Sequence, residues 1–387
     1  MKNRQMPGAA LELDRPKKIL LGQLNSNGDC LFATTVAKQI KKDFPGCHLT
    51  WAIGSMCRSI INNNPDVDEV WVIPLINPGE VAEVWRNFAL DALERKSKGI
   101  FDEVFFTQIT GNKHLYDGTI RSSIFRGYPH QITVPVTPDL KLSALEVENV
   151  SRFAKVNHLN ERKNVILFET SPQSGQSFLT LDFAKEVASR IISAVPDCCV
   201  ILSSNIPFAS NNQSIIDGSE LTLRENAELS KYCNLLVGGS SGITWCCTSD
   251  WAKPLPMIQL LKTDAIWFNS VVIDHEQWGL PTDKIIEMKE CSTDKVYQCL
   301  ITTLFEGFDK ARSRYHEKMK IPFGYFQPIM NQLLSAGEFK KMFDFYFINI
   351  NRHGLLPRLM MGPIHALLFI TKYRLQSGYL YVKKWIT

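Results

Sequence analysis

The chain has 387 residues, 45% of them hydrophobic and 21% charged. That is enough for two ordinary globular domains with sizeable cores, and it excludes an extended disordered protein. The net charge of +4 is uneven: residues 310–387 hold thirteen Lys/Arg against three Asp/Glu, a balance of +10, which leaves −6 on residues 1–309.

The first eighteen residues are polar and lack the apolar core of a secretion signal, and 1–16 reads as a disordered N-terminal tail. No apolar run reaches the ~20 residues needed to span a bilayer. The longest, Leu359 to Ile370, has twelve and is interrupted by Gly362-Pro363 and His365. The ten cysteines form no Cys-x-x-Cys pair, and several fall inside predicted strands or helices. They are expected to be reduced core thiols of a cytoplasmic protein.

After Pro16 the chain alternates. Strands are predicted at 18–23, 48–53, 69–73, 102–107 and 131–134, and helices at about 28–43, 55–63, 79–97 and 113–124. Such alternation implies a parallel sheet covered on both faces. Residues 17–142 would form this first domain, and 143–160 a linking helix. A second, smaller α/β unit is expected over 161–309. Its strands are predicted at 164–168, 198–203, 234–238 and up to Leu260, and its helices near 180–194, 224–232 and from 242. Residues 310–387 read as a basic extension that carries fourteen of the forty aromatics. A basic, aromatic segment behind an acidic body points to an anionic membrane surface as partner, or to helices packed on the body with basic faces in solvent. Nothing in the chain reads as a nucleic-acid-binding module.

Three loops stand out for chemistry. The first is Asn25-Ser26-Asn27-Gly28-Asp29, between the first strand and its helix. There Asp29 is a helix cap, a ribose ligand or a general base. The second is Gly238-Gly239-Ser240-Ser241-Gly242, whose backbone N–H groups suit a diphosphate or simply a tight strand–helix turn. Upstream of it, Glu225 is a candidate for a ribose diol or a first-turn acid. The third is Thr170 to Ser177, a polar loop containing Ser174 and Gln176. The histidines lack metal-ligand spacing, and Asp66-Val67-Asp68 enters a strand rather than leaving one, so no metal is expected. The first turn also lacks the three-glycine nicotinamide fingerprint, which weighs against an oxidoreductase.

In these residues the chain resembles glycosyltransferase family 9, the ADP-heptose:lipopolysaccharide heptosyltransferases. The resemblance rests on Ile19 to Asp29 with Thr34 and Thr35 behind it, on Phe44 to Trp51, on Asn64 to Val70, and on Leu235 to Gly242. It spans roughly residues 17–305. It implies a GT-B fold, two Rossmann-like parallel-sheet domains facing a cleft. It also implies inverting, metal-independent sugar transfer with Asp29 as catalytic base. Asn25, Ser26, Asn27 and Gly28 would lie on the acceptor side. Glu225, Gly239, Ser240, Ser241, Gly242, Ser174 and Gln176 would lie on the donor side.

The chain departs from the family at three places. Ser240-Ser241-Gly242 stands where the family has Asp-Ser/Thr-Gly, the Thr244-Trp245 region stands where the family has a His two or three residues further on, and Gln176 stands at the family's phosphate-binding lysine. Arg224, Lys253 and Lys262 are the candidate replacements for that charge. The expected function is transfer of a sugar, heptose or related, from a nucleotide-diphosphate donor such as ADP-heptose to a hydroxyl of a lipid-linked or surface glycan. No cofactor is expected, and the setting would be the cytoplasm or the inner face of the membrane. The alternative is a noncatalytic relative that scaffolds glycan assembly at the membrane.

Overall fold

The computed structural model describes residues 15–368, except 171, 173, 174, 176, 265 and 290, together with 371. The expected N-terminal tail, apart from residues 15 and 16, and the end of the extension lie outside these residues.

The first unit opens with β1 (Lys18–Gly22), α1 (Asn27–Asp43), β2 (His48–Gly54) and β3 (Glu69–Ile73). It continues with α2 (Val81–Ser97), β4 (Glu103–Phe106) and α3 (Ile120–Arg126). Its four strands are all parallel, in the order β3-β2-β1-β4. Ile19, Leu20 and Leu21 of β1 are fully buried, as a central parallel strand covered on both faces requires.

Three sequence expectations change in this unit. Residues 131–134 form no strand, because the amides of Thr133 and Val134 donate to the side-chain oxygen of Gln39 at 2.8 and 3.1 Å rather than to a ladder. The helix expected at 55–63 is a 3-10 helix, Ser55–Ile61. The helix expected at 113–124 is broken at Asp117-Gly118, where Gly118 has φ +88° and Asp117 Oδ1 takes the Thr119 amide.

The linking helix is α4 (Ala144–Val156). Ser143 and Glu146 close a capping box on it. The second unit follows with β5 (Asn164–Glu169), α5 (Leu181–Ala194), β6 (Cys198–Ser203), β7 (Ile215–Asp217) and α6 (Glu225–Leu229). Then come β8 (Leu235–Gly238), α7 (Gly242–Cys246), β9 (Met257–Leu261), α8 (Val271–Gln277), β10 (Ile285–Lys289) and α9 (Thr293–Glu306). The order is β10-β9-β8-β5-β6-β7, again all parallel. With six strands this sheet is the larger one, contrary to the expectation of a smaller unit. The sequence reading passed over β7 and β10.

The extension is not one appendage. α10 (Phe308–Tyr315) packs on α9 and β10 and shares the core of the second unit through Ala311. α11 (Phe326–Ser335), α12 (Phe339–His353) and a final helix over 357–368 return to the first unit. There Tyr325 packs against Tyr116 at 4.7 Å, and Asn349 donates to the Tyr116 carbonyl. All ten cysteines are unpaired, nine of them buried. No helix of the described residues is long and apolar enough to cross a membrane.

Candidate functional site

In each sheet the chain runs outward from its first strand and then returns to that strand's other side. The reversal falls between β1 and β4 in the first unit and between β5 and β8 in the second. Loops at the carboxyl ends of strands part at such points and leave a crevice. Here both crevices open into one cavity of about 590 Å3, within the ~300–1,000 Å3 of small-molecule sites. One wall carries Asn25 to Asp29 and Gln108 to Thr110, which follow β1 and β4. The other carries Glu169, Ser203 to Asn205, and Ser241 to Ile243, at or just beyond the carboxyl ends of β5, β6 and β8.

The two turns meet directly. A Cβ added at Gly242 would lie 3.4 Å from the Asn27 Cβ, and one at Gly28 would lie 3.0 Å from Trp245 Cδ1. Phe32 and Trp245 close the contact edge to face at 4.6 Å. Each turn also contains a serine in the left-handed region, Ser26 at φ 70° and Ser240 at φ 56°. A non-glycine residue is costly there, and such strain clusters at functional sites.

Asp29 is the third residue of α1; the cap position belongs to Ser26. The backbone of its turn is held by Gln108, whose side-chain oxygen accepts the amides of Leu24 and Asn25 at 3.0 and 2.9 Å. Burial pushes the Asp29 carboxyl up to about 7, against a lowering hydrogen bond from Ser26. A carboxylate with a pKa near neutrality on a cavity wall is suited to exchange protons with a ligand.

The opposite turn is organised by a residue that the sequence reading did not single out. Glu169 ends β5 and is buried; it accepts the Gly239 amide at 3.0 Å and the Ser241 hydroxyl. Burial pushes its carboxyl up to about 7, the Gly239 amide working in the opposite direction. Gly239 is needed where it stands, because a Cβ there would lie 2.4 Å from the Ser177 Cβ. The available signal for Glu169 was its place at a strand's carboxyl end, just before the polar loop beginning at Thr170.

The other expected donor residues divide. Ser241 and Gly242 line the cavity, whereas Gly239, Ser240 and Glu225 do not. The row of bare amides expected here is partly occupied, since the Gly239 amide goes to Glu169 and the Ser240 amide to Gln259 at 2.7 Å. Glu225 is buried and takes the Thr222 amide at 2.7 Å and the Asn149 side chain at 3.1 Å. It holds α6 and α4 rather than facing the cavity. Ser174 and Gln176 lie outside the described residues.

Two of the candidate cations are spoken for. Arg224 binds Glu146 and main-chain carbonyls, and Lys253 donates to the Cys233 carbonyl at 2.8 Å. Lys262 pairs with Asp264 at 3.5 Å and is not among the residues that line the cavity. Asp29 and Glu169 are thus the charged side chains among the described lining residues. The remaining polar lining consists of amides and hydroxyls such as Ser203, Ser204, Ser219 and Asn226.

No family profile matches the chain, and no curated protein matches it in sequence. Among solved structures, a glycosyltransferase family 9 protein from Veillonella parvula aligns with a TM-score of 0.51 at 14% identity, covering 87% of this chain and 99% of that one. The chain has the fold of glycosyltransferase family 9. ADP-heptose lipopolysaccharide heptosyltransferase II of E. coli aligns at TM-score 0.49 and 13% identity, over 75% of this chain and 99% of that one. E. coli heptosyltransferase WaaC with ADP aligns at 0.44 and 12%, over 76% and 99%.

Proposed function

We propose that the protein transfers a sugar from a nucleotide-diphosphate donor to an acceptor hydroxyl, with inversion and without a metal. The observation that carries this reading is the single cavity at both chain reversals, with Asp29 on one wall and the Ser241-Gly242 turn on the other. The Asp29 carboxylate takes the hydroxyl proton as the hydroxyl oxygen attacks the anomeric carbon. The bond from that carbon to the diphosphate oxygen breaks on the opposite face, and the diphosphate leaves with the electron pair. Backbone amides of Ser241 and Gly242 and the Ser203 hydroxyl stabilise its charge as fixed dipoles. The acceptor fits a lipid-linked or surface glycan, and the donor sugar a heptose or a relative, as in the proteins of similar fold; the setting would be the cytoplasmic face of a membrane.

A thermal-shift screen across ADP-, GDP-, UDP- and CDP-sugars tests the donor. A ligand at a hundred times its Kd stabilises the folded state by about 2.7 kcal/mol. A rise in Tm with one nucleotide class is expected, and no shift with any of them would overturn the reading. A second reading, a noncatalytic scaffold, is favoured by a described lining without Lys or Arg. It predicts no transfer to any acceptor even where a donor binds.

Glu169→Ala tests the donor wall. It leaves the Gly239 amide and Ser241 hydroxyl unpaired, at about 1–3 kcal/mol for each buried group. Donor affinity measured by calorimetry is expected to fall about tenfold or more, with Glu169→Gln less affected because one acceptor oxygen remains.

A further inference from the structure

The last two helices each have two apolar faces. In α12, Met342, Phe345 and Asn349 are buried, while Phe339, Phe343 and Phe347, spaced at i, i+4 and i+8, are 57%, 54% and 56% exposed. In the helix over 357–368, Leu359, Gly362 and Ala366 are buried while Met360, Ile364, Leu367 and Leu368 stand in solvent. The two helices meet on one residue of α11. Phe345 stacks on Phe326 at 5.1 Å, and a Cβ at Gly362 would lie 2.4 Å from the same ring. Each helix thus packs one face on Phe326 and leaves its other apolar face exposed. A stripe of three exposed phenylalanines on one helix face, with four more large apolar side chains exposed on the next helix, is more than the scattered apolar residues of an ordinary protein surface.

The charge around this surface selects what covers it. Residues 337–368 hold four Lys/Arg and two Asp/Glu. Lys340 and Arg358 are exposed on the two helices themselves. Further along the sequence, residues 372–387 contain four Lys/Arg and no acid. A second copy of the surface would bring like charge against like, and the basic terminal residues are no better matched to it. An anionic lipid surface satisfies both features: apolar side chains enter the acyl boundary while the cations meet the headgroups. The acidic body is repelled by the same membrane, which orients the molecule with this end down.

We propose that the outer faces of α12 and the 357–368 helix form a docking surface for an anionic lipid bilayer. The docking does not depend on the reaction proposed above. Its geometry does relate to the cavity: Asn349 of α12 bonds the Tyr116 carbonyl, Tyr116 packs on Trp267 at 4.9 Å, and Trp267 lines the cavity. The buried side of α12 is thus linked to the cavity wall through Asn349, Tyr116 and Trp267.

The test is flotation of the full-length chain with vesicles of equal parts phosphatidylglycerol and phosphatidylcholine, and with vesicles of phosphatidylcholine alone. Binding to the anionic vesicles is expected to be at least about tenfold tighter, and to weaken with added salt. The exposed-face variant F339S/F343S/F347S and the charge variant K340E/R358E are each expected to lose about tenfold or more. The charge variant decides the matter if the serine variant does not fold. Wild-type binding by both variants, or no binding of the unaltered chain to either vesicle, would overturn the proposal. So would light scattering that shows a dimer turned to monomer by the serine substitutions with no vesicle binding, since a second copy would then cover the face.

Discussion

Asp29→Asn is expected to lower turnover by about 10²–10⁴-fold, the usual contribution of a positioned general base, while donor affinity and the fold persist. The amide keeps the size of the side chain but cannot accept the hydroxyl proton. Turnover of the unaltered protein should rise with pH through about 7, where burial places the Asp29 carboxyl, and the Asn variant should lose that dependence. The same shift has a stability consequence of definite sign. Asp29 titrates at about 7 in the fold and near 3.8 when exposed. Its contribution to stability is therefore fully present below about pH 4 and is lost as pH rises through 7, because the folded state then carries a charge it disfavours. Asp29→Asn should melt higher than the wild type at pH 8, by on the order of 1 kcal/mol or more, and the gap should shrink at pH 5.5. A variant with near-normal turnover on its true substrates, or one with no such pH-dependent gain, would remove Asp29 from the base role.

Arg224→Met is expected to destabilise the protein by about 3–5 kcal/mol, the range for removing one partner of a buried ion pair. The guanidinium is buried where the two units and the linking helix meet. It binds Glu146 at 2.7 Å through Nε, and through Nη1 the carbonyls of Ser59 and Asn62 at 2.9 and 3.1 Å; Nη2 donates to the Lys141 carbonyl. Methionine fills part of the space and leaves the Glu146 charge and several carbonyls without that donor. Burial works to raise the Glu146 carboxyl, but Arg224 and Ser143 hold it below the usual range. The stability from that shift is present above about pH 4.5 and is lost as pH falls through the depressed value. Chemical denaturation at pH 7 reads the effect directly. A loss under about 1 kcal/mol would mean that the junction does not depend on Arg224. Arg121 makes a second such junction, with its guanidinium 2.9 Å from Asp274 and over the rings of Phe32 and Trp245. A well-populated open arrangement of the two units must break or carry both.

Much of the architecture was legible because buried parallel strands announce themselves. Ile19-Leu20-Leu21 and Val165-Ile166-Leu167-Phe168 are short apolar runs bounded by turn residues, and the helices between them carry one apolar face. The strands that escaped notice, β7 and β10, are short or carry a charged residue, Glu287, that the fold pairs with Ser270 and the Val272 amide. The false strand at 131–134 had the right residue types, but a single side chain, Gln39, claimed its amides. Local propensity does not reveal a partner nearly a hundred residues away.

The alternation that makes two parallel sheets, the two small-residue turns and the acid at the first of them were all legible in the order of the residues. Each of these depends on near neighbours: side-chain pattern, backbone freedom, a carboxylate at a strand end. Which groups share a cavity was set by the packing of distant segments. That packing turned Glu225 and Arg224 inward as struts, made Glu169 the acid that holds the second turn, and used two of that turn's amides internally. It also divided the basic extension between the two units and left one apolar face of it uncovered. Those outcomes depend on which buried donor finds which acceptor and which helix face finds a surface, and such pairings exist only after distant segments have met.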